Sequence, residues 1–313
     1  MSEESTIDES GSRRLTVLQR VLSSRAVTGG GMLLSRYTPP PVGHAVARVI
    51  AESINLLKPL VYRALYSNLH HVLGPDADPP AVHRVTRRAV RNNARNIYDL
   101  WHTLAQGLES VVDTVHIPPE TVSIYQQALD RGRGLIIAGV HTGNFDLGIL
   151  ALAARGADLQ VLGLAEPPTG GFELMDQMRS EAGVHLTSIS PTSLRQAIRR
   201  LRSGGVILTG VDRPVGQEKQ LRFFGATAML PTGHVRLALK TDAAISVASA
   251  YYDPLKGHVA RLAPLLEMVR TGDRAEDLRV NLRRVAAQME EFIRARPDQW
   301  TMFLPVWPDQ PAE

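Results

Sequence analysis

The 313-residue chain contains no cysteine, which excludes disulfide staples, thiolate nucleophiles and cysteine-ligated zinc. No uncharged apolar run reaches the length of about eighteen residues that a bilayer-spanning helix needs, so no span is expected. Met1 to Ser12 is polar and acidic, without the basic start and apolar stretch of a secretory signal, and residues 1–14 read as a disordered tail. The Gly-x-Ser-x-Gly elbow, the Gly-x4-Gly-Lys-Ser/Thr phosphate loop and the Gly-x-Gly-x-x-Gly fingerprint are all missing, which removes the nucleophile and nucleotide schemes built on them. No internal repeat is visible. What is there is ordinary for a folded domain: 44% apolar residues, and 35 Lys and Arg against 31 Asp and Glu. The basic set is mostly arginine and locally clustered, which suits a phosphate-rich partner or an anionic membrane surface.

Two regions are expected after the tail, a helical one over residues 15–116 and an α/β domain over residues 117–313. Within the first, Gly29-Gly30-Gly31 is expected to break an apolar and basic stretch, and Pro39-Pro40-Pro41 to act as a stiff separator. Val42, Val46, Val49, Leu57, Val61, Leu65, Leu69 and Val72 then recur mostly at three- or four-residue steps, as one long apolar stripe with a kink expected at Pro59. Such a stripe packs into a core or lies on a membrane. The next helix carries Arg84, Arg88, Arg91 and Arg95 along one side, either a solvated face or a face for acidic lipid or an acidic carrier protein. No aromatic platform accompanies these arginines, so nucleic acid is not an expected partner.

Beyond Ile117, strands and helices alternate. Leu135–Val140, Gln160–Leu164, Val206–Val211, Ile245–Tyr252 and His258–Leu262 read as strands; residues near Asn144–Arg155, Gly171–Ala182, Thr192–Ser203, Thr232–Thr241 and Arg274–Ala295 read as helices. The order predicts an α/β fold with a mixed, largely parallel central sheet flanked by helices, its site at the C-terminal ends of the strands.

At one such end stands His141-Thr142-Gly143-Asn144-Phe145-Asp146. A histidine leaving a strand, followed by a turn into a helix whose first turn carries an aspartate, is a base with its own orienter: the carboxylate holds one ring nitrogen and the other accepts a proton. Ten histidines and 31 carboxylates give about one such spacing by chance, and the chain has two. In the second, His71 with Asp76, Gly74 and Pro75 intervene at a helix end, so that pair is read as accidental. Taken by spacing alone, the His141 pair also fits a capping aspartate beside a core histidine.

Several further blocks follow His141–Asp146 in order: Gln177-Met178-Arg179, Asp212-Arg213-Pro214, Phe223-Phe224-Gly225, Pro231-Thr232-Gly233 and Pro297-Asp298-Gln299-Trp300. Together, over roughly residues 117 to 308, they resemble the glycerolipid and lysophospholipid acyltransferase superfamily, in its branch of lipid A lauroyl-type and phosphatidylinositol mannoside acyltransferases. The aspartate at position 146 and Asp212-Arg213 are closer to the mannoside-type members; Lys240-Thr241-Asp242 has aspartate where the family turns through glycine.

The resemblance implies transfer of a fatty acyl chain from acyl-CoA or an acyl-carrier protein to a hydroxyl of a glycolipid or phospholipid, with no bound cofactor or metal. His141 is then the general base and Asp146 its orienter, with backbone N–H groups of Gly143 and Asn144 facing the oxyanion. Arg179, Asp212, Arg213, Phe223, Phe224, Thr232 and Gly233 are expected at the substrate. As alternatives, Arg179 and Arg213 pair with a structural aspartate, and the two phenylalanines pack in the core. The expected setting is the inner face of the cytoplasmic membrane, as a peripheral protein. Two other functions stay open: a thioester or lipid hydrolase using the same pair, and a non-catalytic lipid-binding protein.

Overall fold

The computed structural model describes residues 25–163, 170–181, 183–214 and 218–307. The expected tail lies outside them. At the N-terminal end, helices α1 (Arg25–Tyr37), α2 (Pro40–Leu57) and α3 (Leu60–Leu73) pack along the long α4 (Pro79–Ala105). The glycine triplet does not interrupt α1. Gly31 faces Trp101 of α4, and a Cβ there would fall 2.4 Å from the indole, so close packing outweighs the poor helix propensity of glycine. Pro40 opens α2 from an extended Pro39, as a proline in a first turn should. At Pro59 the expected kink is a full break: Lys58 turns to a left-handed φ of 46° and α3 starts afresh at Leu60.

That break divides the apolar stripe. Leu65, Leu69 and Val72 are buried, whereas Val42, Val46, Val49 and Leu57 are exposed, the last at 77%. Leu56 and Leu60 add to the exposed apolar face. The arginine face of α4 also differs from expectation. Arg91, with Arg87, pairs with Glu52 of α2, and the Arg95 guanidinium lies 3.6 Å over the Tyr252 ring. Arg84 and Arg88 are exposed, Arg88 lying 3.7 Å from Asp298.

After α5 (Glu109–Thr114) the chain builds the mixed α/β layer. Its seven strands run in the order β1 (Val115–His116), β9 (Gly257–Leu262), β8 (Ala244–Asp253), β2 (Leu135–Gly139), β5 (Val206–Gly210), β3 (Leu159–Gly163) and β4 (Val184–Ser188). The block from β8 to β4 is parallel; β9 runs antiparallel to β8, and β1 parallel to β9. Alternation along β2 assigns the two faces. Leu135 and Ile137 join a core with α7 (Phe145–Ala154) and α6 (Pro119–Asp130). Ile136 and Ala138 join another with α9 (Pro191–Arg202), α10 (Gly233–Thr241) and α11 (Arg274–Ala295), which reaches α3 and α4. Both faces being covered explains the nearly continuous apolar strands.

α8 (Gly170–Glu181) lies between β3 and β4. A separate hairpin, β6 (Glu218–Phe223) and β7 (Ala226–Pro231), turns through Phe224 and Gly225. Their φ values of 47° and 79° are those of a two-residue turn matched to strand twist. Asp242, where glycine was noted as usual, holds the left-handed C-cap of α10 at φ 62° and pairs with Arg133. Among the described residues no helix is long and apolar enough to cross a membrane.

Candidate active site

β2 and β5 are parallel neighbours with Gly139 opposite Gly210. Two residues beyond each glycine, the chain places His141 and Asp212 side by side. His141 Nδ1 lies 2.5 Å from Asp212 Oδ1, and the His141 backbone N–H donates to Oδ2 at 2.9 Å. The Trp300 indole N–H donates to the same Oδ2 at 2.8 Å. Asp212 is fully buried, while the His141 side chain keeps 25% of its surface exposed. Gly210 makes room for the ring, since a Cβ there would stand 3.0 Å from His141 Cε1.

Burial and, less strongly, the Arg213 charge oppose a charged imidazole, but the charge and hydrogen bond of Asp212, with a small contribution from Asp146, outweigh them and hold the His141 pKa above the ordinary histidine value. Burial likewise opposes ionisation of Asp212. His141, Trp300 and the His141 backbone N–H overcome it and keep the Asp212 carboxyl below the ordinary carboxylate range. With Nδ1 occupied, Nε2 is the nitrogen left for a substrate.

The two aspartates therefore stand in other positions than expected. Asp212, expected at the substrate, is sealed under His141 and is the group on Nδ1. Asp146, expected on the ring, forms an ion pair with Arg179 at 2.7 Å, both side chains 19% exposed. The reason is geometric: parallel strands in register bring residues of equal distance past their ends together, whereas the first turn of α7 carries Asp146 outward toward α8.

The loop after His141 is tied on several sides. Gly143 adopts φ 52°, and a Cβ there would lie 2.6 Å from the Ala250 backbone. Its N–H donates to the Gln299 carbonyl at 2.8 Å, which corrects its expected role as an oxyanion donor. Asn144 caps α7 by accepting from the Leu147 N–H, and its carboxamide donates to the Asn96 carbonyl at 2.8 Å. The Thr142 and Ser249 hydroxyls meet at 2.9 Å, and Thr142 Oγ1 accepts from the Ala250 N–H. The first-turn N–H groups of Phe145 and Asp146 have no intrahelical acceptor, as at any helix start.

A cavity of about 310 Å³ opens beside this loop, between α7 and the sheet. His141, Asp146, Arg179 and Arg213 line it together with an apolar interior that includes Ile149, Leu150, Val161, Leu186, Leu208 and Leu262. The other expected substrate residues are not on it. Phe223 is fully buried and stacked on Trp307 at 5.6 Å; Phe224 is in the hairpin turn with its N–H on Glu290. Thr232 stands just before α10 without a side-chain capping bond, its hydroxyl accepting from Arg236, and Gly233 opens that helix. His71, too, is elsewhere, stacked on Trp307 at 4.3 Å with burial lowering its pKa.

His141 was singled out from the sequence, whereas the carboxylate on its Nδ1 was not. The available signal was the pair Gly139-Val140-His141 and Gly210-Val211-Asp212, two strand ends of the same form.

A histidine hydrogen-bonded to a buried carboxylate and lining a largely apolar cavity is an arrangement chemically equipped to take a proton beside an apolar ligand. The chain belongs to the bacterial lipid A biosynthesis acyltransferase family, whose model matches residues 10–308. It is similar to the phosphatidylinositol mannoside acyltransferases of Mycobacterium tuberculosis (strain CDC 1551 / Oshkosh), at 23% identity over 58% of this chain and 56% of that protein. The enzyme of the same name from Mycolicibacterium smegmatis (strain ATCC 700084 / mc(2)155) is 25% identical over 58% of this chain and 59% of its own length. The matched segment thus spans little more than half of these relatives.

Proposed function

We propose that the protein transfers a fatty acyl chain from a thioester, acyl-CoA or acyl-carrier protein, to a hydroxyl of a glycolipid or phospholipid. The observation that carries the reading is the His141–Asp212 pair opening on the apolar cavity. In this reading the acyl chain lies in the cavity with its thioester carbonyl beside His141. Nε2 takes the proton of the acceptor hydroxyl as that oxygen bonds to the carbonyl carbon. Asp212 holds Nδ1–H and stabilises the imidazolium. Collapse of the tetrahedral intermediate breaks the C–S bond, and the imidazolium returns the proton to the departing thiolate. The free N–H groups at the start of α7 supply a positive field for the oxyanion. Arg179 and Arg213 suit the phosphates of the donor or acceptor headgroup.

The exposed apolar face of α2 and the start of α3 fits a peripheral position on the inner leaflet of an anionic membrane, with Arg84 and Arg88 adding charge attraction. Purified protein should be given an acyl thioester with and without a phosphoinositol glycolipid or a phospholipid acceptor, measuring thiol release and products by mass spectrometry. Thiol release that depends on acceptor and matches ester formation supports transfer. Equal release without acceptor, as free fatty acid, makes the protein a hydrolase.

A further inference from the structure

We propose that Trp300 is a positioning residue for the general base, acting through Asp212 to fix the tautomer and tilt of His141. The proposal rests on the reading of His141 as the base. Trp300 is fully buried, and its only polar atom donates to Asp212 Oδ2 at 2.8 Å. The oxygen that receives this bond also receives the His141 backbone N–H, so the carboxylate is held at one end by two donors while the other oxygen meets Nδ1. Without the indole, the two of these bonds that remain on the carboxylate both run to His141, the residue it has to position, and neither fixes its rotation from outside His141.

The indole is itself held in register with the base. On one side of Trp300 the Gln299 carbonyl accepts from the Gly143 N–H; on the other the Thr301 N–H donates to the His141 carbonyl at 3.0 Å. Further along, Asn68 of α3 donates to the carbonyls of Met302 and Leu304, both at 2.8 Å, and accepts from the Val306 N–H at 3.1 Å. The segment from Gln299 to Val306 is therefore anchored on α3 at one end and on the base loop at the other. Trp300 stands between these anchors, and its ring meets Phe223 and Trp307 edge-on. Packing alone would be served by any ring of this size, but the direction of the N–H is set by the same segment that hydrogen-bonds the histidine loop through Gln299 and Thr301.

The charged groups facing His141 are Asp212 and Arg213 beyond β5 and Asp146 on α7, the last carrying Arg179 of α8. None of them changes when the indole N–H is removed, so a shift in the titration of His141 reports the Trp300 bond.

Two variants separate positioning from packing. Trp300→Phe removes the N–H with part of the ring, and incorporation of 3-benzothienylalanine at position 300 replaces the N–H by sulfur within the same bicyclic outline. Acyl transfer should be measured from acyl-CoA or acyl-carrier protein, whichever supports turnover, across pH. Both variants should lose about ten- to a hundredfold in kcat, the effect of one hydrogen bond to a charged group. KM for the acyl donor should stay within twofold. The acidic limb of kcat/KM should move to higher pH, because the Asp212 charge is no longer shared with the indole dipole. Unchanged kcat, or a fall in kcat with the acidic limb in place, overturns the proposal if His141→Ala is inactive in the same assay. Transfer by His141→Ala overturns the reading of the base and this proposal with it.

Discussion

Replacing Asp212 by asparagine tests the base and its orientation in one step. The two donors on Oδ2, the His141 backbone N–H at 2.9 Å and the Trp300 indole at 2.8 Å, demand an acceptor at that position. Asparagine satisfies them by placing its carbonyl oxygen there, which puts its NH₂ where Oδ1 now sits, 2.5 Å from Nδ1. Two N–H groups cannot face each other in a fully buried site. The ring then gives up the Nδ1 proton and carries it on Nε2, so the nitrogen facing the cavity is a donor and not a base. A wrong tautomer of this kind lowers kcat by about 10⁴ in a comparable His–Asp pair, or about 5 kcal/mol of transition-state stabilisation.

The assay is single-turnover acyl transfer across pH, with circular dichroism and thermal melting to show that the variant is folded. In the wild type the base must be neutral, so activity should rise with pH through a limb above the ordinary histidine value, since Asp212 raises the His141 pKa. In Asp212→Asn the residual activity should titrate lower, because the charge that stabilised the imidazolium is gone. A folded Asp212→Asn protein keeping more than a tenth of wild-type turnover, or an unmoved acidic limb, would refute the reasoning.

Asp146→Asn should cost about tenfold, far less than Asp212→Asn, because it releases Arg179 but leaves Nδ1 held; comparable losses in the two variants would return the orienting role to Asp146. Gly148→Leu on α7 should shift preference toward shorter acyl chains without loss of fold, since a Cβ at Gly148 already lies 3.4 Å from Ala260 Cβ on the cavity wall; competition between thioesters of different length reads this out, and an unchanged profile removes the chain from the cavity. Burial holds the His234 pKa near about 4, against 6.5 when exposed, so the unfolded chain takes up a proton that the folded one refuses. Stability should therefore fall by about 3 kcal/mol as pH drops from 6.5 to 4, and His234→Leu should flatten that part of a urea-melt series. Changing Leu56, Leu57 and Leu60 together to serine should weaken co-sedimentation with anionic vesicles at least tenfold, as each buries an apolar side chain in the proposed contact; undiminished binding would move the contact elsewhere.

Much of the sheet was legible because buried parallel strands are written as apolar runs: Leu135–Val140, Val206–Val211 and His258–Leu262 each overlap an observed strand closely. β4 was not, since Val184-His185-Leu186-Thr187-Ser188 is only partly buried at the sheet edge. Nor was the β6–β7 hairpin, whose Lys219, Gln220 and Arg222 dilute the apolar signal. Gly31 and Pro59 mark where local propensity gave way, one to packing on Trp101 and the other to a helix break. In the site, His141 was readable because its signal is local: a strand end, a glycine turn and a helix start. The Asp212 contact depends on the register between two strands separated by some seventy residues, which no spacing rule within one segment contains. The Trp300 bond is more distant still.

The proposed transfer depends on His141 removing the acceptor proton. The measurement that tests this most directly is acceptor-dependent ester formation by purified His141→Ala, beside the wild type, with melting temperature and vesicle binding as controls. A loss of more than a hundredfold is expected, with both controls unchanged. A variant that is folded, binds vesicles and retains more than a tenth of wild-type transfer would contradict this role for His141.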